Sequence, residues 1–301
     1  MDAFAFLHAL RFRIRKYLPT WLFDFLFSLW LNIGKKFLNA YYYLKLRSFK
    51  KPTTVNVEHG SVKFQICIDP KNGFIDEYIF LRGAYEPHIL DLIQKHLPSN
   101  GIFFDVGANI GQHSLFAAAC LRETGKVYAF EPLQSFYKQF QRSISLNGFN
   151  NIQVFNFACG NSTEQKQIYT KYDNAGGSST VKLWEPDATN TIDIKKIDDM
   201  FGDIQKIDLM KIDVEGMEYA VLQGATNVIT QLKPKLIIEF SPFIYQTYDP
   251  ELIDLILDFV LSFYEVYDVD DGGYKIESKE VYLEDFNKRH RKQTNFLCLP
   301  R

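Results

Sequence analysis

Apolar and polar positions in the body of the chain follow two alternating patterns. Short apolar runs are separated by longer segments in which apolar residues recur every three or four positions. The runs predict buried strands, the segments predict amphipathic helices, and their repetition predicts a parallel sheet with helices on both faces. The predicted strands are 102–106, 126–130, 152–157, 207–212 and 235–240, and the predicted helices lie near 114–121, 133–146, 217–222 and 251–263.

The pattern changes at both ends of this region. Residues 53–67 alternate apolar and polar positions around a His-Gly turn, which predicts a hairpin, and EPHILDLIQKHLPSNG predicts a short amphipathic helix. The segments YEVYDVDDGGY and TNFLCLP predict two last strands joined by a long connection. Residues 161–192 are polar and predict an irregular insertion over a functional site.

Residues 1–51 form a separate, basic and aromatic helical segment in this prediction, and 52–301 form the main domain. The first 51 residues carry a charge of +8 and the remainder carries −10, although the whole chain is at −2. Residues 17–34 are the most hydrophobic stretch, with polar positions on one helical stripe. Three interpretations stay open: a helix lying on a membrane surface, a packing or oligomerisation helix, and an uncleaved signal anchor that spans the membrane.

Composition narrows the class of protein. The chain is 47% hydrophobic and 23% charged, which is typical of a globular protein with a sizeable core. Its four cysteines lie far apart and form no CxxC or Cys/His cluster, so they predict neither disulfides nor a zinc site and indicate the cytoplasm. Because the body is acidic and lacks an NPPY-like tetrapeptide after its fourth strand, no nucleic-acid partner is expected.

The stretch GIFFDVGANIGQHS places an acid and a glycine turn after the first predicted strand of the sheet. In open α/β sheets, ligands bind beyond the carboxyl ends of the strands. Gly107 and Gly111 allow positive φ and close approach of a ligand, and Asn109 tolerates a left-handed conformation. The spacing differs from the G-x-G-x-x-G of dinucleotide sites, and Asp105 would repel a pyrophosphate. The turn therefore favours a ligand with a cationic amino-acid end.

Glu131 ends the second predicted strand, twenty residues after Gly111. A carboxylate at that position can accept hydrogen bonds from both hydroxyls of a ribose. The alternative is a surface acid that is stabilised by the dipole of the following helix.

Four motifs in this order, FFDVGANIGQHSLFAAA, GKVYAFEP, DLMKIDVEGMEYAVLQGA and KLIIEFSP, resemble the FkbM family of S-adenosylmethionine-dependent methyltransferases. The resemblance covers about residues 84–242 and leaves residues 1–51 outside it. It implies an α/β, Rossmann-like class I methyltransferase fold, with a seven-stranded, mostly parallel sheet whose last strand is antiparallel. It also implies O-methylation, often of sugar hydroxyls in glycans, glycolipids or glycosylated natural products.

The resemblance also implies roles for individual residues toward S-adenosylmethionine. It places Glu131 at the ribose, Glu86 of GAYEP at the amino end, and Ala158 with Cys159 near the adenine. The loop at the methionine end would consist of Asp105, Gly107, Asn109 and Gly111.

Candidate catalytic residues cluster in KIDVEGME, at the end of the fourth predicted strand. Asp213 would contact the sulfonium end of the cofactor or accept the proton of the substrate. Glu215 would do the same or help to hold a divalent metal; alternatively it is a helix-start acid, like Glu218. His113, the one histidine predicted near the ligand end, has a suitable pKa for a general base, and the alternative is a helix-start histidine facing solvent or backbone. Glu239 lies at the end of the fifth predicted strand. It would either contact the substrate or accept a structural hydrogen bond.

Two features remain open at this stage. The segment NAGGSST, residues 174–180, predicts either a mobile lid over a polyol or a simple hairpin turn. The spacing of the acids assigns no metal ligand. The function expected is O-methylation of a sugar or glycolipid acceptor, near a membrane surface that residues 1–51 contact. The alternative is a catalytically inactive, membrane-bound binding module of the same fold, and a nicotinamide oxidoreductase is a distant third.

Overall fold

The computed structural model describes residues 42–122, 124–171 and 174–301. The chain divides into two units, Met1–Lys50 and Lys51–Arg301, and the second unit contains the elements considered below. The predicted helix at 17–34 lies outside the described residues. Among those that are described, no helix combines the length and the apolar character that crossing a membrane requires.

The elements of the second unit alternate as the sequence predicts. Its strands are β1 (Thr53–His59), β2 (Val62–Ile68), β3 (Ile102–Val106), β4 (Lys126–Phe130), β5 (Ile152–Phe155), β6 (Ala158–Cys159), β7 (Glu164–Lys171), β8 (Asn174–Ser179), β9 (Ala188–Lys195), β10 (Leu209–Ile212), β11 (Lys235–Phe240), β12 (Tyr264–Asp268), β13 (Tyr274–Lys275) and β14 (Thr294–Pro300). Its helices are α1 (Phe74–Arg82), α2 (Pro87–His96), α3 (Gln112–Cys120), α4 (Gln134–Asn147), α5 (Ile197–Phe201), α6 (Glu218–Gly224), α7 (Thr226–Leu232), α8 (Pro242–Tyr245), α9 (Glu251–Phe263) and α10 (Lys279–Lys288).

The main sheet has the strand order β13-β12-β14-β11-β10-β3-β4-β5. The five strands from β11 to β5 in this order are parallel to one another. Strand β14 lies between β11 and β12 and is antiparallel to both. The seven strands from β12 to β5 confirm the fold class that the resemblance implies. The two-residue strand β13 adds an eighth, antiparallel edge strand.

The central strands are buried on both faces, which explains why they are continuous apolar runs. Every residue of β10 is buried, as are all but the first residues of β3 and β11. The hairpin of β1 and β2 has the predicted turn, and β2 packs on α3 and α4. All four cysteines are free thiols, and two of them, Cys159 and Cys298, are buried.

Two predicted segments differ from the structure. The strand predicted at 152–157 ends at Phe155, because the Asn156 side chain donates to the carbonyls of Glu131 and Pro132 and the chain leaves the main sheet. The segment 161–192, predicted to be irregular, contains β7, β8 and the first part of β9, which belong to a second sheet with the order β6-β9-β7-β8. These strands are polar because much of their surface is exposed.

Asp76 is a buried acid that ties α1 to the rest of the fold. Its Oδ1 accepts hydrogen bonds from the Asp69 backbone N–H, the Asn72 amide and the Gln139 amide, at 2.6, 3.1 and 2.9 Å. Burial raises the pKa of Asp76 to about 6, against 3.8 for the ordinary group. Its contribution to stability is therefore fully present below the unfolded pKa and is lost as the pH rises through 6.

We expect Asp76→Asn to remove this pH dependence, because the amide oxygen can accept the same hydrogen bonds without a charge. Between pH 4 and pH 7, the free energy of unfolding of the wild type should fall relative to the variant by about 2–3 kcal/mol. Denaturant unfolding across this range measures the difference. The exposed Asp203→Asn is the control and should follow the wild type; equal slopes for Asp76→Asn and the wild type would contradict the prediction.

Candidate active site

A cavity lies at the carboxyl ends of β3, β4 and β10. Its empty volume is ≈ 620 Å³ with the adjoining open solvent included. Residues of the second sheet, among them Ile168 and Ile192, form the opposite wall. Of the predicted site residues, the lining includes Gly107, Asn109, Glu131, Ala158, Cys159, Asp213 and Glu215. The polar insertion predicted over a functional site therefore does line this cavity.

The glycine turn after β3 is shaped by the protein itself. Gly107 has φ +86°, and a Cβ there would lie 1.8 Å from the carbonyl oxygen of Asp213. Asn109 has the predicted left-handed conformation, with φ +53°, and its side chain accepts a hydrogen bond from the N–H of Ile110. At Gly111 a Cβ would meet the ring of Phe140 at 2.2 Å. Both glycines have the predicted positive φ, and contacts with the protein already exclude a side chain at either position. Close approach of a ligand stays a prediction, and Gly107 does line the cavity.

Glu131 joins this turn to the next strand. It is 5% exposed, and its two oxygens accept hydrogen bonds from the backbone N–H groups of Asn109 and Leu133, at 2.9 and 2.7 Å. Burial raises the pKa of Glu131 to about 7. The alternative of a surface acid is therefore wrong. Each carboxylate oxygen has a further lone pair, so Glu131 keeps acceptor capacity toward the cavity that it lines.

Lys211 is the feature of this site that sequence reasoning missed. It lies in β10, its side chain is only 3% exposed, and its ammonium group donates to Asp213 Oδ2 at 2.7 Å. On the neighbouring strand β3, Asp105 is its register partner. Asp105 is fully buried; burial raises its pKa, and the nearby Lys211 and the hydrogen bond from the Ser114 hydroxyl lower it. Lys211 is therefore ion-paired with Asp213 and lies on the strand next to a second, fully buried carboxylate, Asp105.

Glu86 and His113 lie close together behind the lining. The two side chains are 3.8 Å apart, from Glu86 Oε2 to His113 Nε2. Burial, together with Asp213, raises the pKa of Glu86 to about 7. His113 is buried rather than facing solvent, and burial lowers its pKa well below 6.5, so the ring is neutral at pH 7. His88 is a second histidine near Glu86, paired with Asp270 at 2.8 Å, and neither histidine lines the cavity.

The position of Glu86 depends on a side chain that the sequence did not single out. The Gln112 amide donates to the Tyr85 carbonyl and its oxygen accepts from the Tyr85 N–H, both at 2.7 Å. This pair of bonds ties the segment before α2 to the start of α3. Glu86 itself has a left-handed φ of +44°.

The acids of KIDVEGME divide into two kinds. Glu218 is structural, because its carboxylate accepts from the N–H groups of Val214 and Gly216 and from the Tyr245 hydroxyl. Glu215 lies before α6, in a left-handed conformation with φ +51°, so it is not a helix-start acid. Glu215 lines the cavity.

The segment NAGGSST forms β8, with its last residue directly after the strand, rather than a simple turn. Gly176, Ser178 and Thr180 line the cavity. The Ser179 hydroxyl donates to the backbone carbonyl of Glu215 at 2.6 Å, which joins the two walls. Whether the segment moves as a lid stays a prediction.

The cavity has the polarity that an adenosine group requires. One part of its wall is apolar, with Phe130, Phe136 and Met217. The Thr180 hydroxyl is buried and has no hydrogen-bond partner among the described residues, while it lines the same cavity as Glu131. An unpaired buried hydroxyl is costly, and a bound polar ligand would remove that cost. The residues present therefore fit a nucleoside with ribose hydroxyls.

The predicted site residues thus form two layers. One group of them lines the cavity: Gly107, Asn109, Glu131, Ala158, Cys159, Asp213 and Glu215. The other group lies outside the lining: Glu86, Asp105, Gly111 and His113. Asp105 and His113 are held within the fold behind it. Ala158 was expected at the end of the third strand of the main sheet. It lies instead in β6 of the second sheet.

A family model identifies the family to which this chain belongs. Residues 105–276 match the model of the methyltransferase FkbM domain. "Methyltransferase 1" of Beauveria bassiana is 26% identical over 191 residues, which are 55% of this chain and 72% of that protein. The "hexuronic acid methyltransferase AglP" of Haloferax volcanii is 29% identical over 153 residues, 50% of this chain and 59% of that protein. A crystal structure of an FkbM methyltransferase from Methylobacillus flagellatus aligns with a TM-score of 0.43 at 19% identity, covering 74% of this chain and 52% of that one.

Proposed function

The chain belongs to the FkbM methyltransferase family, and on that premise we propose that it transfers a methyl group from S-adenosylmethionine to a hydroxyl of a sugar. The observation that carries the proposal is the cavity in which the buried Glu131 and the unpartnered hydroxyl of Thr180 lie beside an apolar wall. This combination suits the ribose and adenine of the cofactor. The methionine end would then lie toward the Gly107 turn and Asp213.

The sugar class of the acceptor is supported by the printed name of AglP, a hexuronic acid methyltransferase. We extend this to polyol, glycan and glycolipid acceptors as a class. Contact of residues 1–51 with a membrane surface and a cytoplasmic location stay predictions. An inactive binding module is the weaker alternative, because the cavity keeps Glu131, Asp213 and Glu215 in its wall.

The residues would divide the reaction between them. When bound, S-adenosylmethionine would supply an activated methyl group, with S-adenosylhomocysteine as the second product. Glu131 would hold the ribose and thereby fix the direction of the methyl group. Asp213 would take the proton of the acceptor hydroxyl as the oxygen–carbon bond forms. Lys211 would keep the Asp213 carboxylate in place through their 2.7 Å ion pair.

Calorimetric titration of the full chain with S-adenosylmethionine tests the cofactor. We expect Glu131→Ala to weaken binding by about 1.5–3 kcal/mol, or roughly 10–150-fold, because the contacts with two ribose hydroxyls are lost. Glu131→Gln should be intermediate, since it keeps an acceptor for the backbone. The control is Glu185→Ala, whose side chain is 90% exposed.

Acceptors can then be screened with radiolabelled cofactor and methyl glycosides of hexoses and hexuronic acids. Methyl transfer to one of these sugars would support the O-methyltransferase proposal. Because Glu131 also binds two backbone N–H groups, circular dichroism must show that each variant is folded. A folded chain that does not bind S-adenosylmethionine would contradict the proposal and favour the binding module.

A further inference from the structure

Three carboxylates meet at the edge of the main sheet, beside the proposed cofactor cavity. One oxygen each of Asp213, Glu215 and Glu239 lies within 4.8 Å of the other two. Asp213 and Glu215 follow β10, and Glu239 lies in the adjacent parallel strand β11. Oxygens on opposite sides of a cation with bonds of about 2.1–2.6 Å are about 4.2–5.2 Å apart. The three side chains are therefore close enough to share one cation.

Glu239 provides an observation independent of this clustering. It is 6% exposed, and its Oε1 accepts a hydrogen bond from the Gln293 amide at 3.0 Å. Its Oε2 is buried and has no hydrogen-bond partner among the described residues. A buried carboxylate oxygen without a partner is costly, so this atom points to a ligand that supplies positive charge.

The charges of the group lead to the same conclusion. The ammonium of Lys211 is paired with Asp213 Oδ2. Neither Glu215 nor Glu239 forms an ion pair within the described residues. Three carboxylates and one ammonium have a net charge of −2 when all are ionised, which a divalent cation would neutralise. Because all the available donors are carboxylate oxygens, the site suits Mg²⁺ or Mn²⁺ rather than Zn²⁺, which commonly takes sulfur or nitrogen ligands.

We propose that Asp213, Glu215 and Glu239 form a binding site for a divalent cation of the Mg²⁺ and Mn²⁺ class, which in turn binds the hydroxyl groups of the methyl acceptor. Since Asp213 and Glu215 also line the cavity, the cation would lie where the acceptor must meet the methyl group. A cation at that point favours acceptors with two neighbouring hydroxyls, such as sugars, because both oxygens can bind it. This role rests on the proposed function, whereas binding of the cation does not.

Mn²⁺ binding to the full chain tests the site without an activity assay. Enhancement of water proton relaxation reports bound Mn²⁺, and competition with Mg²⁺ tests whether the same site accepts both cations. We expect Glu239→Gln to weaken Mn²⁺ binding at least about tenfold, as loss of a ligand should cost no less than loss of an outer-shell contact. The amide retains an oxygen for the hydrogen bond from Gln293. The matched control is Glu185→Gln, with a 90% exposed carboxylate, and it should bind as the wild type does.

Titration of the same samples with S-adenosylmethionine separates this inference from the proposed function. A wild type that binds the cofactor and not Mn²⁺ overturns the cation site and leaves the methyltransferase proposal intact. Mn²⁺ affinity that is equal in the wild type and Glu239→Gln also overturns it, since the cation would then bind elsewhere. If a folded chain binds neither, both proposals fail. Weaker Mn²⁺ binding in Glu239→Gln, with cofactor binding kept, supports the site.

Discussion

Lys211→Met is expected to destabilise the protein by about 3–5 kcal/mol at pH 7, because it removes the cation beside the fully buried Asp105 and the partly buried Asp213. The Lys211 ammonium group donates to Asp213 at 2.7 Å. Lys211 is also the register partner of the fully buried Asp105 on the neighbouring strand. Methionine fills a similar volume, so the loss should come mainly from charge. Denaturant unfolding of the full chain measures it.

The pH dependence of this loss distinguishes charge from packing. Without Lys211, the pKa of Asp105 should rise further above its usual value, because Lys211 is the main charge that opposes the effect of burial. An acid whose folded pKa is raised loses its stabilising contribution as the pH rises through that pKa. The deficit of Lys211→Met should therefore be smaller at pH 5 than at pH 7. A deficit that does not change with pH would assign the effect to packing.

The chain offers a matched control for this experiment. Lys206 pairs with Asp208 at 2.9 Å with the same two-residue spacing, but the Lys206 side chain is 55% exposed. Since exposed ion pairs contribute about 0–1 kcal/mol, Lys206→Met should change stability by no more than that. The double variant Lys211→Met/Asp105→Asn should recover part of the loss, because the asparagine can still accept from Ser114. If Lys211→Met lowered the free energy of unfolding by no more than Lys206→Met does, the expected contribution of the Lys211–Asp213 ion pair would be contradicted.

The main sheet could be predicted because its strands carry their own signal. Strands β3 and β11 are buried on both faces, so their apolar runs identify them without any partner. The second sheet could not be identified in this way, because β7 begins with exposed polar residues. Its alternation is weak, and only pairing with β9 shows it to be a strand.

The site was predictable where a residue directly follows a strand. Glu131 and Asp213 line the cavity because the carboxyl ends of parallel strands meet at one edge. Lys211 was missed because a lysine inside a strand is ordinarily expected at the surface. The sequence did contain a signal, since Lys211 interrupts the apolar run before Asp213. The contact of Glu239 with Gln293 joins residues far apart in the chain and could not be inferred from spacing.

Gly107→Ala is expected to have an effect of similar size, for a steric reason. A Cβ at this position would lie 1.8 Å from the carbonyl oxygen of Asp213, and the backbone has φ +86°. The left-handed conformation alone costs an ordinary residue about 1–2 kcal/mol, and forcing atoms into a packed region adds about 1–3 kcal/mol. We therefore expect a loss of about 2–5 kcal/mol in the free energy of unfolding.

Gly148→Ala separates the two parts of that cost. Gly148 is also left-handed, with φ +64°, but a Cβ there would meet no atom within 4 Å. Its substitution should cost only the conformational part, about 1–2 kcal/mol, so the difference between the variants measures the contact with Asp213. Equal losses for Gly107→Ala and Gly148→Ala would show that the ends of β3 and β10 can move apart without cost in free energy. A larger loss at Gly107, together with weaker binding of S-adenosylmethionine by the variant at temperatures where it is folded, would show that this contact fixes Asp213 at the cavity.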